Sequence, residues 1–317
     1  MRLRAFWATA PGQGEIRDEA LETDTASHLV GRTLASGVSR GTEALVLAGR
    51  VPASQYEAMR APLMRGEFPF PLAYSYSAVG EVAGARVFAL HPHQDRFVAP
   101  RTMCIPVPDT VPTARAVLAA NMETALNIVW DAAPLAGERM LVVGAGVVGL
   151  LVGSLLAGIP GGSVTVVDID ATRAGLAQHF GCAFTTPDCA PDRQDLIVHA
   201  SGSEAGLQLA LSRAAFEARI VEASWFGNQC PALPLGEAFH ARRLKLLSSQ
   251  VGTVAAAMRE RRSRTERLAL ALDLLSNPAY DELLDGPTPF ETLPEAMPRI
   301  LAPGGLCHVI SYGAEHV

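Results

Sequence analysis

Three glycines and an aspartate give this 317-residue chain its clearest chemical signature. Gly144, Gly146 and Gly149 stand in Gly144-Ala145-Gly146-Val147-Val148-Gly149, and Asp168 follows nineteen residues after Gly149. That spacing suits a dinucleotide. The first glycine permits a tight turn, the second lets backbone approach a pyrophosphate, and the third lets a helix pack closely on a sheet. Asp168 stands where a carboxylate meets a ribose diol, and its charge repels a 2′-phosphate, so NAD(H) is favoured and NADP(H) less expected. Arg173, on the next helix, suits stacking over adenine as well as pairing with a phosphate. The elements that must hold these groups are in register. Residues 140–143 read as an apolar strand, an apolar helix beginning at Val147 and Val148 turns its N-terminus to the phosphates, and residues 164–167 read as a second strand ending at Asp168.

Around that unit the chain reads as two domains of an α/β protein. Residues 1–118 are rich in short strands, at 27–35, 78–82, 86–90 and 96–98, separated by Gly and Pro, which is the pattern of an irregular β domain. A helical pattern covers 114–132. Apolar strands at 141–143, 164–167, 196–199, 219–223 and 244–248 then alternate with helices, as in a parallel sheet covered on both faces. Ser203 is expected to cap the helix after the third of these strands. A basic amphipathic helix is expected over 258–275, its arginines on a solvated face. Cys307-His308-Val309-Ile310 reads as a closing strand for the first domain. The expected boundaries are 1–120 with 253–317 for the β domain and 121–252 for the nucleotide domain.

With 26 basic and 32 acidic residues the net charge is -6, which gives no electrostatic reason to expect nucleic acid or an anionic membrane. The N-terminus has no apolar signal core, and no long apolar stretch escapes glycine breaks, so a cytoplasmic protein is expected. Five scattered cysteines form no CxxC pair and indicate neither a disulfide framework nor a zinc knuckle.

The order of these parts resembles the medium-chain dehydrogenase/reductase superfamily over the whole chain, and the resemblance sharpens in four segments. These are Ser36-Gly37-Val38-Ser39-Arg40-Gly41-Thr42-Glu43, Tyr74-Ser75-Tyr76-Ser77-Ala78-Val79-Gly80, Gly84-Ala85-Arg86-Val87-Phe88 and Asn121-Met122-Glu123-Thr124-Ala125. Together they look like the zinc-lacking, alcohol dehydrogenase-like branch near the bacteriochlorophyllide dehydrogenases. The resemblance implies a Rossmann doubly wound parallel sheet plus a GroES-like irregular β-barrel domain, with the substrate in an interdomain cleft. It also implies a homodimer in which strands around residues 244–251 continue a sheet across subunits. Ser39, Tyr76 and Ala120 stand where zinc members place their ligands, and none of these residue types is a good zinc donor. His91 and His93 are the counterargument, as an HxH pair that could share a metal. Without a third nearby ligand they read as a surface turn or a wall of the substrate cleft.

A site without zinc needs another donor for the alkoxide formed when hydride reaches a carbonyl. The resemblance puts Tyr76 first in that role, with Ser39 as a second hydroxyl and Tyr74, Glu43, Asn121 and Glu123 as weaker candidates. A Tyr76 that merely fills the vacated metal cavity is an equal alternative. Arg40 matches a basic residue set against the cofactor pyrophosphate, or else pairs with Glu43 at the surface. Thr124 matches a threonine beside the nicotinamide. Ser201 and Gly202, and Ser224 and Trp225, follow two of the Rossmann strands at the carboxyl edge where nucleotides bind. His199 reads as a strand-end histidine. The favoured function is a metal-independent NAD(H) oxidoreductase on an alcohol or carbonyl of a small molecule. Two alternatives stand beside it: a zinc-free quinone or enoyl reductase acting on an activated C=C bond, and a non-catalytic NAD(H)-binding protein.

Overall fold

The structure, a computed structural model, describes residues 1–21, 24 and 26–313. It divides into two compact units, Met1–Ala120 with Leu268–Val317, and Asn121–Arg267. Short strands and tight turns build the first unit. One sheet runs Gln13–Ala20, Arg2–Ala10, Leu72–Ala73, Arg65–Gly66. A larger one runs Leu284–Pro289, Cys307–Ser311, His28–Val38, Ala78–Val82, Ala85–Ala89, Ile105–Pro106, with Arg96–Pro100 also paired to His28–Val38. The tail closes this sheet, since Cys307–Ser311 lies antiparallel to His28–Val38 with His308 opposite Val38. Phe88, Phe97 and Phe290 are fully buried in this unit, and Phe97 packs with Val87, Ala89 and Ala99. Gly80 is required there, because a Cβ would come within 2.2 Å of the Phe97 ring. This is a GroES-like β unit.

The second unit is the Rossmann fold. Its strands are β1 (Arg139–Val143), β2 (Ser163–Val167), β3 (Ala183–Thr185), β4 (Gln194–His199), β5 (Ala214–Glu222) and β6 (Lys245–Ser248), all parallel, in the spatial order β3-β2-β1-β4-β5-β6. That is the order of a doubly wound dinucleotide fold, with the topological switch between β1 and β4. Helix α1 (Val147–Ala157) follows β1, α2 (Ala174–His179) follows β2, and α3 (Glu204–Arg213) follows β4. The continuous apolar runs of β1 and β4 are almost entirely buried, as a sheet covered on both faces demands. Ser203 caps α3 by accepting from the Gly206 N–H at 3.1 Å. Among the described residues no helix is long and apolar enough to cross a membrane.

Three details differ from the sequence reading. The helix expected over 258–275 is confined to Arg264–Leu274. Ser263 and Glu266 form a reciprocal capping box there, the Ser263 N–H donating to Glu266 Oε2 at 2.7 Å and the Glu266 N–H to Ser263 Oγ at 3.2 Å. Arg267, expected on a solvated face, is 1% exposed and donates to Glu123 Oε1, Asn127 Oδ1 and the Val251 carbonyl. Those bonds tie residues 253–267 to the nucleotide unit, which therefore extends past the expected boundary at 252. The helical stretch expected over 114–132 is two helices, Thr113–Ala116 and Ala119–Ala132.

Candidate functional site

The glycine turn is as tight as its spacing suggests. Gly144 adopts φ +111, and a Cβ on it would meet the Ser201 main-chain nitrogen at 2.8 Å. A Cβ on Gly149 would lie 1.9 Å from the Gly144 carbonyl oxygen, so α1 packs directly on the turn. Gly146 is exposed and would meet nothing within 4 Å. It precedes the first turn of α1, formed by Val147, Val148 and Gly149, with no side chain capping it. First-turn N–H groups lack partners within their own helix and favour anions. Open backbone at Gly146 and an uncapped helix start make a cradle that fits a pyrophosphate.

Asp168, just past the end of β2, is held in place by main chain: the Ala145 N–H donates to Oδ2 at 2.6 Å and the Asp170 N–H to Oδ1 at 2.9 Å. Each oxygen keeps a lone pair for a ribose hydroxyl. Arg173 directs its Nε to Asp170 Oδ2 at 3.4 Å. An acid therefore already faces the guanidinium that would otherwise invite a 2′-phosphate.

On the neighbouring strands, β4 ends in His199 and β5 in Glu222, cross-strand partners in register. Fully buried His199 bonds through Nδ1 to Glu222 Oε2 at 2.7 Å and through Nε2 to Ser201 Oγ at 2.6 Å. The Ser201 hydroxyl also meets Ser203 Oγ at 2.8 Å and accepts from the Ser203 N–H at 3.3 Å, so its side chain serves the loop and turns inward. The Gly202 N–H donates to Ser224 Oγ at 3.0 Å, which links the loops after β4 and β5. Trp225 is half-buried. Thr124, on helix Ala119–Ala132, is half-buried as well.

In the GroES-like unit a second set of groups converges. Ser39 precedes the helix Arg40–Leu47, and Tyr76 lies between the strands Leu72–Ala73 and Ala78–Val82. The Tyr76 hydroxyl donates to Ser39 Oγ at 2.7 Å. Burial pushes the Tyr76 phenol up to about 12, opposed by hydrogen bonds to Ser39 and Thr42 and reinforced by Glu43 and Cys307. Arg40 donates through Nη1 to the Ile300 carbonyl at 2.6 Å, anchoring the helix start to the returning tail. The surface pair of Arg40 with Glu43 is replaced by other partners, because Glu43 is 3% exposed and accepts from the Ser39 N–H at 2.8 Å. His93 Nε2 approaches Glu43 Oε2 at 3.0 Å, and its Nδ1 lies 2.7 Å from Ser36 Oγ.

The reading of His91 and His93 as a surface turn or cleft wall is therefore corrected. Both are fully buried. His91 uses Nδ1 on the Pro92 carbonyl at 2.8 Å and Nε2 on the Val98 N–H at 3.2 Å, while its ring stacks on Phe97. All four ring nitrogens are engaged in separate networks. Glu43 is only a weaker candidate by sequence, and nothing local announces its link to His93, which lies fifty residues away in the loop between the strands Ala85–Ala89 and Arg96–Pro100. The only local signal was an acid in the first turn of a helix that begins after Ser39.

Ser39, Tyr76 and Ala120, the positions at which the sequence resemblance places zinc ligands, carry side chains that are poor donors for that metal. Ser39 and Tyr76 offer neutral hydroxyls already bonded to each other, and Ala120 offers nothing. Among the described residues no three His, Cys, Asp or Glu side chains are grouped to hold a metal.

No protein-family model matches the chain, and no curated protein matches it in sequence. Solved structures do match it in shape. L-idonate 5-dehydrogenase from Escherichia coli aligns with a TM-score of 0.80 at 12% identity, covering 98% of this chain and 99% of that one. The fold is that of the medium-chain dehydrogenases. A Sinorhizobium meliloti protein described as a candidate zinc-binding dehydrogenase, bound to NADP, aligns with a TM-score of 0.78 at 15% identity over 98% of this chain and 99% of its own. Acetophenone reductase from Geotrichum candidum, in complex with NAD, gives 0.76 and 15% over 98% and 97%.

Proposed function

We propose that this protein is a nicotinamide-dependent oxidoreductase that interconverts an alcohol and a carbonyl without a metal, with NAD(H) as its preferred cofactor. The observation that carries the reading is the nucleotide cradle, in which the Gly144 turn, the open backbone at Gly146 and the uncapped start of α1 stand beside the held carboxylate of Asp168. Structural neighbours with this fold are dehydrogenases and reductases, some solved with NAD and some with NADP, and the held carboxylate of Asp168 supports NAD(H) as the reading for this chain.

The bound nicotinamide supplies or accepts the hydride. Asp168 accepts from the adenosine ribose hydroxyls and repels a phosphate in their place. At the reacting carbonyl, Tyr76 keeps its proton and turns its hydroxyl from Ser39 Oγ to donate a hydrogen bond to the oxygen as negative charge develops. The Ser39 hydroxyl, which accepts from Tyr76 at rest, can then donate to the Tyr76 oxygen and strengthen that bond. A neutral donor suits this role, because it stabilises the oxyanion more than the carbonyl that precedes it.

Tyr76→Phe keeps the ring and its packing and removes only the donor. Turnover should fall on the order of 100-fold, about 2.7 kcal/mol, while NADH affinity in a fluorescence titration stays unchanged. An unaltered turnover number would reduce Tyr76 to a filler of the cavity.

A further inference from the structure

The polar network behind Ser39 converges on Glu43. Glu43 is a buried carboxylate with three donors on it: the Ser39 N–H at 2.8 Å and the Ser75 hydroxyl at 3.4 Å on Oε1, and His93 Nε2 at 3.0 Å on Oε2. A carboxylate only accepts, so His93 Nε2–H is the donor in its bond to Glu43. Beyond the ring, Nδ1 lies 2.7 Å from Ser36 Oγ, which in turn lies 2.7 Å from the Tyr312 hydroxyl, so a continuous hydrogen-bonded chain runs from Tyr312 through Ser36 and His93 to Glu43. Fully satisfied buried networks of this kind fix geometry, and removing one member leaves its partners unsatisfied.

The two residues that Glu43 holds flank the hydroxyl pair. Ser39 carries one hydroxyl, and Ser75 immediately precedes Tyr76, which carries the other. Ser75 itself has φ +155, an extended main chain turned to positive φ, and is fully buried. A single carboxylate thereby clamps the ends of two elements, the helix start at Ser39 and the segment before Ala78–Val82, at the point where Tyr76 meets Ser39. The other groups facing Tyr76 are Thr42, the Cys307 thiol and the edge of the Tyr74 ring, none of which spans both segments.

We propose that Glu43 is a positioning residue for the Ser39–Tyr76 pair, held in place by His93 through Ser36 and Tyr312. The claim concerns the hydroxyl pair assigned to catalysis above and rests on that reading for its consequence in turnover, but not for its geometry. Glu43→Gln should break the clamp without changing its volume, because an amide presents a donor to either the Ser39 N–H or His93 Nε2–H. Turnover should fall about ten-fold with NADH affinity unchanged, the effect of a misplaced and not a missing donor.

The decisive test needs no substrate. A fluorinated tyrosine is incorporated at position 76 and its fluorine NMR resonance is read in four backgrounds: wild type, Glu43→Gln, Ser39→Ala, and both together. The resonance should move on Glu43→Gln, and most of that movement should vanish when Ser39 is already Ala, since Ser39 is the link. An unmoved resonance, or the same displacement with and without Ser39, overturns the proposal. If Glu43→Gln does not fold, Glu43→Asp is read in the same way, its carboxylate one methylene short of both donors. Coupling in the spectrum with no turnover on any carbonyl would refute the proposed function and leave the clamp standing.

Discussion

Tyr76 keeps its proton across the neutral range because burial raises its ionisation to about 12, and for that reason it is read as a hydrogen-bond donor and not a base. Asp168 is the other residue on which the account turns. Its carboxylate is fixed by two main-chain N–H groups, and in the proposed reading a ribose would meet a ready acceptor there and a phosphate a fixed charge. Asp168→Ser should weaken NADH about ten-fold, near 1.4 kcal/mol, and should strengthen NADPH, both read by fluorescence titration. Tighter NADPH than NADH in the unaltered protein would contradict the role given to Asp168.

At the scale of elements, what was legible in the sequence was local. The strand at 140–143, the glycine turn and the strand ending before Asp168 announce themselves because each is fixed by neighbours in the chain. The helix start at Arg264 is legible too, in Ser263 and Glu266, although the basic run before it reads as part of the same helix. Glu43 with His93, and Arg267 with Glu123, were not legible, since each pair is joined only by tertiary pairing and each buries a charge that sequence patterning assigns to the surface. Strand β6 raises a question of assembly. It is the edge of the Rossmann sheet, all four of its residues are exposed, and Leu246 and Leu247 are 36% and 37% exposed. An apolar edge invites a further strand. We propose that a second copy supplies it. Light scattering should give twice the chain mass at micromolar concentration, and Leu247→Lys should shift it toward monomer. A monomer in the unaltered protein would refute this.

For the molecule as a whole, His91 sets an acid limit. Burial lowers its ionisation from 6.5 to about 4, and its hydrogen bonds require the neutral ring, with Nδ1–H donating to Pro92 and Nε2 accepting from Val98. The unfolded chain binds a proton near pH 6.5 that the folded chain refuses until about pH 4. The stabilisation is therefore complete above 6.5 and is lost as pH falls through this window, by roughly 3 kcal/mol. Urea unfolding at pH 7 and at pH 4.5 should show that loss, and His91→Gln, though less stable at pH 7, should show a flatter acid limb. An identical slope in the variant would remove His91 from the account.

Metal independence is the claim on which the chemistry of the whole molecule depends. The direct measurement is NADH oxidation over a panel of carbonyl substrates by protein of known metal content, before and after exhaustive treatment with a chelator. Zinc should be far below one per chain, and turnover should survive the chelator unchanged. Turnover abolished by the chelator and restored by one equivalent of zinc would contradict that claim.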